Sequence, residues 1–531
     1  MRERERVLVL DCGEASYSLG VARSLGQAGY EVHYGFPVGS PHREARSKYC
    51  AGVTFYPDPS YAPEDFQQSL RELAPSFRYI VPMKEQTLLS AAQIKPEVES
   101  QGALLPIADF ETLRTATTKV DMLRLAESLG VRTPRTIVAQ ELPPIAELRS
   151  TLGVPFVMKV ASEIGLRPMD RHYRVDTLDD STLTSKFEAL AAHGPVLLQE
   201  FARGTGAGVA LLYSRERGLV AFSGHRRVFE QFEDGGPSLL AETFVDETAL
   251  AQSRRLLEAI GWKGMAMVEY RLDPQGVPVF MEVNPRFWGT LSLAIASGVD
   301  FPTLLLRSWT TPTAPVPIRP RRTRNFFSFE VLVTAAGSPP GKRPRLSALA
   351  LLLPRCLPGL SVRELQGRDL RPSFEEFVHQ LTARGTRDRI AQVSGVLLGP
   401  PVPYERLRRL GVKTVVDLRE PTETPHPLPA PPDGMRRIEF PIPDDTGLDP
   451  PRFSELVTLI DRAAGQGGVY VHCRLGRGRA PMAVTGYLVS KRVPLEHAFD
   501  LVYDHRPYAT LQPSQRAAVY RLDQVLARRG G

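Results

Sequence analysis

The sequence predicts a multidomain protein in which α/β and α+β units follow one another along 531 residues. The chain is too long for a single hydrophobic core, so several folded units are expected. Its apolar share of 42% and charged share of 24% are those of an ordinary globular protein. Near-continuous apolar strands also alternate with amphipathic helical stretches, which is the pattern of layered α/β structure. Composition therefore excludes a chain that is disordered throughout.

Cysteine usage, hydropathy and net charge indicate which cellular compartment and which binding partners to expect. Cys12, Cys50, Cys356 and Cys473 are scattered without a CxxC pair, so we expect free thiols in a cytoplasmic protein. No apolar run reaches the roughly 18–20 residues of a membrane helix, so no membrane span is predicted. The net charge of +7 fits a nucleic-acid reader and a protein that handles phosphorylated small molecules equally well. The motifs described next make nucleic acid the less expected partner.

Changes of pattern along the chain predict four regions. Their boundaries are 1–106, 107–310, 311–392 and 393–531. The first begins with the apolar strand Arg6–Asp11, then Gly13 and a helical stripe, as in a doubly wound α/β domain. The second is α+β, and the third is a proline-rich connector of unclear role. The fourth is a smaller α/β unit with the apolar strand Gly468–Cys473 near its centre.

The segment that leaves this strand, VHCRLGRGRA, carries the sharpest chemical signal. Five residues separate Cys473 from Arg479, and two of them, Gly476 and Gly478, are glycine. A tight loop between a strand and a helix turns backbone N–H groups inward, and the helix N-terminus adds positive potential. The same field favours a thiolate at Cys473, and the planar guanidinium of Arg479 can bind two phosphate oxygens. The segment therefore predicts a phosphate-binding loop around a nucleophilic thiolate.

A thiolate that attacks phosphorus needs an acid to protonate the leaving oxygen. The segment FPIPDDTGLDP places Asp444 and Asp445 on a loop directly after the predicted strand Arg437–Ile442. We favour Asp444 as the acid, with Asp445 as the rival.

Together these residues resemble the dual-specificity branch of the cysteine-dependent protein tyrosine phosphatases over about Val393–Arg521. The resemblance rests on VVDLRE, PIPD, HCRLGRGR and RPYATLQPSQ. It implies that Cys473 forms a cysteinyl-phosphate and that Arg479 binds the phosphoryl group. It also implies that Asp444 serves as acid and then as base. His472 would position the loop and help to lower the pKa of the thiolate.

The residues that this resemblance places around the phosphate are Arg474, Leu475, Gly476, Arg477 and Gly478. The two arginines either attract a substrate with several negative charges, as in members acting on inositol phosphates or phosphoinositides, or face solvent. The family usually has Ser or Thr after its arginine, and this sequence has Ala480. Because that hydroxyl helps the thiolate to leave, its absence predicts a slower second step.

A second constellation lies in the segment MAMVEYRLDPQGVPVFMEVNPRFWG, which reads as a hairpin with its turn at Asp273–Gly276. Glu282 and Asn284 are two residues apart on one strand, so they share a face of the sheet. Glu269 lies across the hairpin at a similar level. Two carboxylates and an amide oxygen suit Mg²⁺ that bridges ATP phosphates, with Mn²⁺ as the alternative ion.

This hairpin resembles that of the ATP-grasp superfamily, in its carboxylate–amine ligase-like branch, over about Arg6–Trp309. The resemblance implies a pre-ATP-grasp α/β domain followed by an ATP-grasp domain. The implied ATP-binding residues are Lys119, Lys159, Gln199, Glu200, Phe201, Arg226 and Arg286, and the implied metal ligands are Glu269, Glu282 and Asn284. The glycine-rich lid of many members is reduced to a segment with the single Gly165, which predicts a stiffer or shorter lid.

The sequence therefore predicts a bifunctional cytoplasmic enzyme. One half would use ATP and Mg²⁺ to join a small-molecule carboxylate to an amine through an acyl phosphate. The other would hydrolyse a phosphate monoester or a phosphoprotein through Cys473. The alternatives are a regulatory protein phosphatase whose ATP-grasp module senses nucleotide, and a polyanion-binding scaffold in which both sites are inactive.

Overall fold

The computed structural model describes residues 4–11, 13, 17–161, 172–178, 182–232, 235–311, 317–321, 324–327, 360–362, 369–375, 379, 388–423 and 430–530. Contacts divide the chain into two compact units. The first comprises residues 1–34, 47–53 and 70–370, and the second comprises residues 35–46, 54–69 and 371–531.

Up to residue 362 the chain forms strands and helices with the following bounds. The strands are β1 (Arg6–Val9), β2 (Glu31–Pro37), β3 (Cys50–Tyr56), β4 (Tyr79–Val81), β5 (Thr136–Ala139), β6 (Phe156–Val160), β7 (His172–Val175), β8 (Val196–Glu200), β9 (Thr205–Tyr213), β10 (Leu219–Phe232), β11 (Gly235–Thr243), β12 (Gly264–Leu272), β13 (Pro278–Asn284), β14 (Asn325–Phe327) and β15 (Leu360–Val362). The helices are α1 (Ser18–Gln27), α2 (Pro63–Leu73), α3 (Glu85–Gln93), α4 (Lys95–Ser100), α5 (Phe110–Thr117), α6 (Lys119–Ser128), α7 (Ile145–Thr151), α8 (Leu183–Ala191), α9 (Glu247–Ala259), α10 (Leu291–Ala296) and α11 (Phe301–Thr310).

The N-terminal sheet has the strand order β3-β2-β1-β4. The apolar strand β1 is central, and it pairs in parallel with β2 on one side and with β4 on the other. Val7, Leu8 and Val9 are fully buried, as expected for a parallel strand covered on both faces. The predicted α/β layer is confirmed, and the structure adds β3, which the sequence pattern did not indicate.

Two further sheets complete the first unit. One has the order β5-β8-β6-β7 and packs its apolar face, including Phe156, Met158 and Leu198, against α7 and α8. The other has the order β13-β12-β9-β10-β11-β14-β15. Its edge is the predicted hairpin of β12 and β13, closed by a hydrogen bond from the N–H of Asp273 to the carbonyl of Val277 (3.0 Å).

The second unit contains the C-terminal α/β layer that the sequence predicts. Its strands are β16 (Ala391–Val393), β17 (Val396–Gly399), β18 (Val412–Asp417), β19 (Arg436–Glu439) and β20 (Gly468–His472), and its helices are α12 (Tyr404–Arg409), α13 (Pro450–Gly465), α14 (Arg479–Ser490), α15 (Leu495–His505) and α16 (Pro513–Gly530). The sheet order is β16-β17-β20-β18-β19, and β20 pairs in parallel with both of its neighbours. Buried apolar side chains of β20, α13 and α14 form the core beneath the site.

The second unit also includes residues 35–46 and 54–69, which the predicted boundaries assign to the first region. The carboxylate of Glu496 accepts a hydrogen bond from the N–H of Gly39 (3.3 Å), and the hydroxyl of Tyr503 donates to the carbonyl of Gly39 (2.9 Å). A Cβ on residue 39 would lie 2.5 Å from the ring of Phe499, so only glycine allows this approach. Local patterns cannot reveal such a long-range pairing, which explains the difference.

Several predictions fall partly or wholly outside the described residues. The predicted lid around Gly165 lies there, as do most of the connector 311–392 and two of the four cysteines. Cys50 and Cys473 are free thiols. No helix in the described ranges is both long and apolar enough to cross a membrane.

Candidate active sites

The loop between β20 and α14 has the geometry of a phosphate cradle. Gly478 occupies the N-cap position of α14, and Gly476 has a φ of +62°. A Cβ at Gly476 would lie 2.3 Å from the carbonyl carbon of Gly399, so both the backbone conformation and the packing require glycine. Cys473, at the start of this loop, is 3% exposed. The loop therefore lies at the N-terminus of a helix, where backbone N–H groups and the helix dipole favour an anion.

Arg479 is held at the base of the loop by acidic and carbonyl groups. Its two terminal nitrogens donate to the two carboxylate oxygens of Glu423 at 2.6 and 2.7 Å, and Nη1 also donates to the carbonyl of Ile442 at 2.8 Å. Burial opposes its charge, but the hydrogen bonds to Glu423 raise the pKa of Arg479. Its Nε is buried and has no hydrogen-bond partner among the described residues. That donor remains for a phosphate oxygen.

The structure brings Asp444 to Arg479. Oδ1 of Asp444 lies 3.1 Å from Nη2 of Arg479, and the side chain of Asp444 is 46% exposed, so it can reach a leaving group. Asp445 has a φ of +56°, and its carbonyl accepts a hydrogen bond from the hydroxyl of Ser514 (2.7 Å). These positions support Asp444 over Asp445 as the acid, which remains a prediction.

His472 differs from its expected electrostatic role. Burial lowers its pKa to about 4, although Asp417, whose Oδ2 lies 3.7 Å from Nε2 of His472, acts in the opposite direction. Arg419 binds both carboxylate oxygens of Asp417 at 2.9 and 2.7 Å, so much of that negative charge is already compensated. The imidazole is therefore neutral near pH 7 and adds no positive charge beside Cys473.

The two arginines inside the loop are exposed. The guanidinium of Arg477 lies over the ring of Tyr508, 5.8 Å from its centroid. The hydrogen bond from Arg479 is the main cause of the lowered pKa of Glu423, and the charge of Arg474 adds to the lowering. Both predicted roles of these cations, facing solvent and attracting a polyanion, are compatible with their exposure. The backbone carbonyl of Leu475 accepts a partly buried hydrogen bond from Nη2 of Arg506 (3.2 Å).

The hairpin of the first unit brings its predicted metal ligands together. Glu269 is paired with Glu282 across β12 and β13, and Met267 is paired with Asn284, so the carboxylates and the amide share a face. Nδ2 of Asn284 donates to Oε1 of Glu282 (3.2 Å), which leaves the amide oxygen for another partner. Nζ of Lys119, at the start of α6, lies 3.8 Å from Oε2 of Glu282.

Arg227 is the residue at this face that the sequence analysis missed. Its Nη2 donates to Oε1 of Glu269 (2.7 Å), and its Nη1 donates to Glu230 (3.1 Å). Burial raises the pKa of Glu269; Arg227 opposes this effect, and the neighbouring Glu282 adds to it. Adjacent residues on a strand point to opposite faces. Accordingly, Arg226 pairs instead with Glu242 (2.9 Å) and does not reach the carboxylates.

The residues at this face fit a divalent cation. The two neighbouring carboxylates repel each other, and a cation between them would relieve that repulsion. Together with one amide oxygen they offer the hard oxygen ligands that Mg²⁺ or Mn²⁺ prefers. Within the described ranges no group of three or more His, Cys, Asp or Glu side chains could hold a metal ion. The candidate metal ligands are therefore two carboxylates, Glu269 and Glu282, and the third oxygen comes from the amide of Asn284.

The predicted adenine-pocket residues have varied surroundings. Gln199 is 2% exposed, and its Nε2 donates to the hydroxyl of Thr136 (2.9 Å). Glu200 accepts from Nε of Arg135 (2.8 Å), which holds the pKa of this carboxyl below its usual range. The guanidinium of Arg174 lies over the ring of Phe201, 4.7 Å from its centroid. Gln199, Glu200 and Phe201 therefore each contact another side chain of the protein.

Lys159 lies on β6 directly opposite Leu197 of β8. Residues two apart on a strand share a face, so Lys159 and Gln199 lie on the same side of this sheet. Phe156, Met158 and Val160 face the apolar core on the other side. Lys159 and Gln199 are therefore on the face that can line a nucleotide site.

Arg286 meets the carboxyl edge of the N-terminal sheet. Its Nη1 donates to the hydroxyl of Tyr17 (3.2 Å), which in turn donates to the carbonyl of Met83 (2.7 Å). Nearby, Oδ2 of Asp11 accepts from the N–H of Lys84 (2.9 Å). In open α/β sheets, ligands bind outside the carboxyl ends of the strands. Tyr17 and Asp11 are thus further candidates that sequence spacing alone did not indicate.

Comparisons with known families agree with both constellations. Residues 219–326 match the family model described as ATP-grasp in the biosynthetic pathway with Ter operon, and residues 401–492 match the one described as Polymorphic toxin system, DSP-PTPase phosphatase. The chain therefore joins an ATP-grasp domain to a phosphatase domain of the dual-specificity protein tyrosine phosphatase type. Both resemblances that the sequence predicts are confirmed.

Curated relatives divide between the same two regions. Phosphatidylglycerophosphate phosphatase PTPMT2 of Arabidopsis thaliana is 35% identical over 145 residues, which is 25% of this chain and 62% of the relative. The carbamoyl phosphate synthase large chain of Deinococcus radiodurans is 25% identical over 320 residues, 56% of this chain and 30% of the relative. A D-alanine–D-alanine ligase of Gloeobacter violaceus is 27% identical over 211 residues, 36% of this chain and 67% of the relative. The chain spans less than two thirds of the first two relatives.

Proposed function

We propose that this protein is a bifunctional cytoplasmic enzyme that combines ATP- and Mg²⁺-dependent carboxylate–amine ligation with cysteine-dependent hydrolysis of a phosphate monoester. The observation that carries the proposal is that each unit assembles its own phosphate-handling groups. The hairpin presents Glu269, Glu282 and Asn284 on one face, and the C-terminal loop places the buried Cys473 and Arg479 at a helix N-terminus.

In the phosphatase half, Sγ of Cys473 attacks phosphorus while the P–O bond to the leaving group breaks. Asp444, in its protonated form, gives its proton to that oxygen. Water then attacks the cysteinyl-phosphate, Asp444 takes up a proton from it, and the thiolate leaves. Nε of Arg479, which is buried without a partner among the described residues, would donate to the transferred phosphoryl group throughout.

In the ligase half, a carboxylate oxygen of the substrate attacks the γ-phosphorus of ATP, ADP leaves, and an amine then displaces phosphate from the acyl phosphate. Glu269, Glu282 and Asn284 would hold Mg²⁺, which neutralises phosphate oxygens when bound. Lys119 and Lys159 would bind phosphates beside them. Arg286 would orient the acceptor carboxylate at the edge of the N-terminal sheet, beside Tyr17.

The phosphatase half is tested with a generic aryl phosphate and the full chain. Wild-type protein should release phosphate, and Cys473→Ser should lose at least about a thousandfold in rate because no other nucleophile is provided. Asp444→Asn should lose about a hundredfold, with the matched variant Asp445→Asn close to wild type. Equal rates for wild type and Cys473→Ser would refute this half of the proposal.

The ligase half is tested by ADP release during a screen of small carboxylates and amines, with mass analysis of the product. ADP should form only when a suitable carboxylate is present, and Glu282→Ala should abolish its formation. Persistent ADP formation in that variant would show that the metal assignment is wrong. ATP binding without any turnover would instead favour a nucleotide-sensing module attached to a phosphatase.

A further inference from the structure

Arg506 is a buried cation beneath the phosphate-binding loop. It occupies the C-cap position of α15 and is 1% exposed. Its Nε donates to the carbonyl of Gly476, its Nη2 to the carbonyl of Leu475 (3.2 Å), and its Nη1 to the carbonyl of Arg389 (2.6 Å). One guanidinium thus ties two successive loop carbonyls to the start of the second unit's sheet.

These hydrogen bonds determine which way the loop presents its polar groups. When consecutive carbonyls point to one side, the associated N–H groups are available to the other, as in anion-binding nests. The packing leaves little freedom, because a Cβ at Gly476 would lie 2.7 Å from Nη2 of Arg506. A guanidinium with several donors in fixed geometry suits this task better than an ammonium group.

Arg506 also places a positive charge near the nucleophile. Burial lowers its pKa, while Tyr470 and Cys473 act electrostatically to favour its charged form. Asp388 and Tyr508 also act on Arg506.

The other groups around Cys473 have different charge states. Arg479 is a second cation that interacts with Cys473, and it is compensated by Glu423 and Asp444. His472 is neutral near pH 7, with the compensated pair of Asp417 and Arg419 behind it. Burial raises the pKa of Tyr470, so its hydroxyl is neutral as well. Arg479 and Arg506 are therefore two buried cations that interact with Cys473.

We propose that Arg506 is a positioning residue of the phosphatase site: through the carbonyls of Leu475 and Gly476 it orients the loop so that the N–H groups of the loop face the phosphate. This inference rests on the proposed phosphatase function.

The test measures the rate of alkylation of Cys473 by iodoacetamide in the full chain, with and without inorganic phosphate and resolved from the other cysteines by peptide mass analysis. In Arg506→Met, phosphate should protect Cys473 from alkylation at least about tenfold less effectively than in wild type, because the N–H groups of the loop lose their fixed orientation.

Arg506→Lys separates charge from geometry. It keeps a positive charge at this position but loses the planar set of donors, so inorganic phosphate should still protect Cys473 from alkylation about tenfold less effectively than in wild type. This variant also decides the case if Arg506→Met does not fold, as judged by its thermal unfolding curve. Wild-type phosphate protection in Arg506→Lys would overturn the positioning role.

Wild-type phosphate protection in folded Arg506→Met would overturn the proposal as well. Alkylation reports on the thiol whether or not any substrate is turned over. Failure of wild type to hydrolyse aryl phosphates would therefore count against the proposed function, and phosphate protection would still test Arg506.

Discussion

The two candidate sites have opposite arrangements of internal charge. In the second unit a cation, Arg479, is held by the carboxylates of Glu423 and Asp444. In the first unit the carboxylates of Glu269 and Glu282 are held by the cations Arg227 and Lys119. Buried charge is costly without a partner, so each site contains groups opposite in sign to those that bind its ligand. On the proposed function, a ligand at either site would compete with a protein group for its binding residues.

The largest expected effect concerns the positive charge that Arg227 places beside the carboxylates of the first unit. Arg227→Met should reduce the free energy of unfolding of this unit by about 3–5 kcal/mol, because it leaves Glu269 and Glu230 buried with less positive charge. The adjacent variant Arg226→Met is the matched control and should cost less than about 1 kcal/mol, since the side chains of its ion pair with Glu242 are 43% and 28% exposed. Urea unfolding measures both, and equal losses would contradict the assigned difference.

The next prediction concerns the rigid loop of the second unit. Gly476→Ala should reduce phosphate-monoester hydrolysis by at least about a hundredfold, because strain and displacement disturb the aligned groups. ATP-dependent ADP release should remain at the wild-type level. Gly465→Ala, where a Cβ would meet nothing within 4 Å, is the control. More than half of the wild-type phosphatase rate in Gly476→Ala would show that the loop tolerates the added carbon.

The free energy of unfolding of the second unit should depend on pH through His472. Because the pKa of His472 is lowered to about 4, the unfolded chain binds more protons than the folded one between about pH 6.5 and 4. Stability is therefore lost as the pH falls through this window. From pH 7 to 4.5 the contribution is about 2.5 kcal/mol. Hydrogen exchange in α14 measures it, and His472→Gln should remove that part of the loss; the same loss in the variant would contradict the assignment.

The smallest effect concerns ligand binding to the first unit. Mg²⁺ and ATP at ten times the dissociation constant should stabilise this unit by about 1.4 kcal/mol, measured as a rise in its Tm. Asn284→Ala should reduce the rise, because the third oxygen of the site is lost. An equal rise in this variant, or a rise with ATP alone, would indicate that the cation binds elsewhere.

Sequence could predict the parts of each site that lie close together in the chain. His472 to Arg479 form one loop, and Glu282 and Asn284 are two residues apart on one strand, so spacing alone places them on common surfaces. The position of Glu269 could be predicted from the hairpin turn, which places it across from Glu282. The register of β12 and β13 confirms that step.

Residues from distant segments could not be predicted in the same way. Glu423 and Arg506 reach the loop from other parts of the second unit, and their contacts depend on how strands and helices pack. Of the neighbours Arg226 and Arg227, only strand parity in the folded sheet selects the one beside Glu269. The neutral state of His472 likewise follows from burial, which a motif does not encode.

The placement of residues 35–46 within the second unit has a consequence for synthesis on the ribosome. Gly39 and its partner Glu496 are separated by 457 positions in the chain. This early segment therefore has to wait for nearly the whole polypeptide to emerge before its contacts with α15 can form. An expression fragment cut at residue 393 would leave Phe499 and Tyr503 without the glycine they pack against, so the two halves should be produced as one uninterrupted chain.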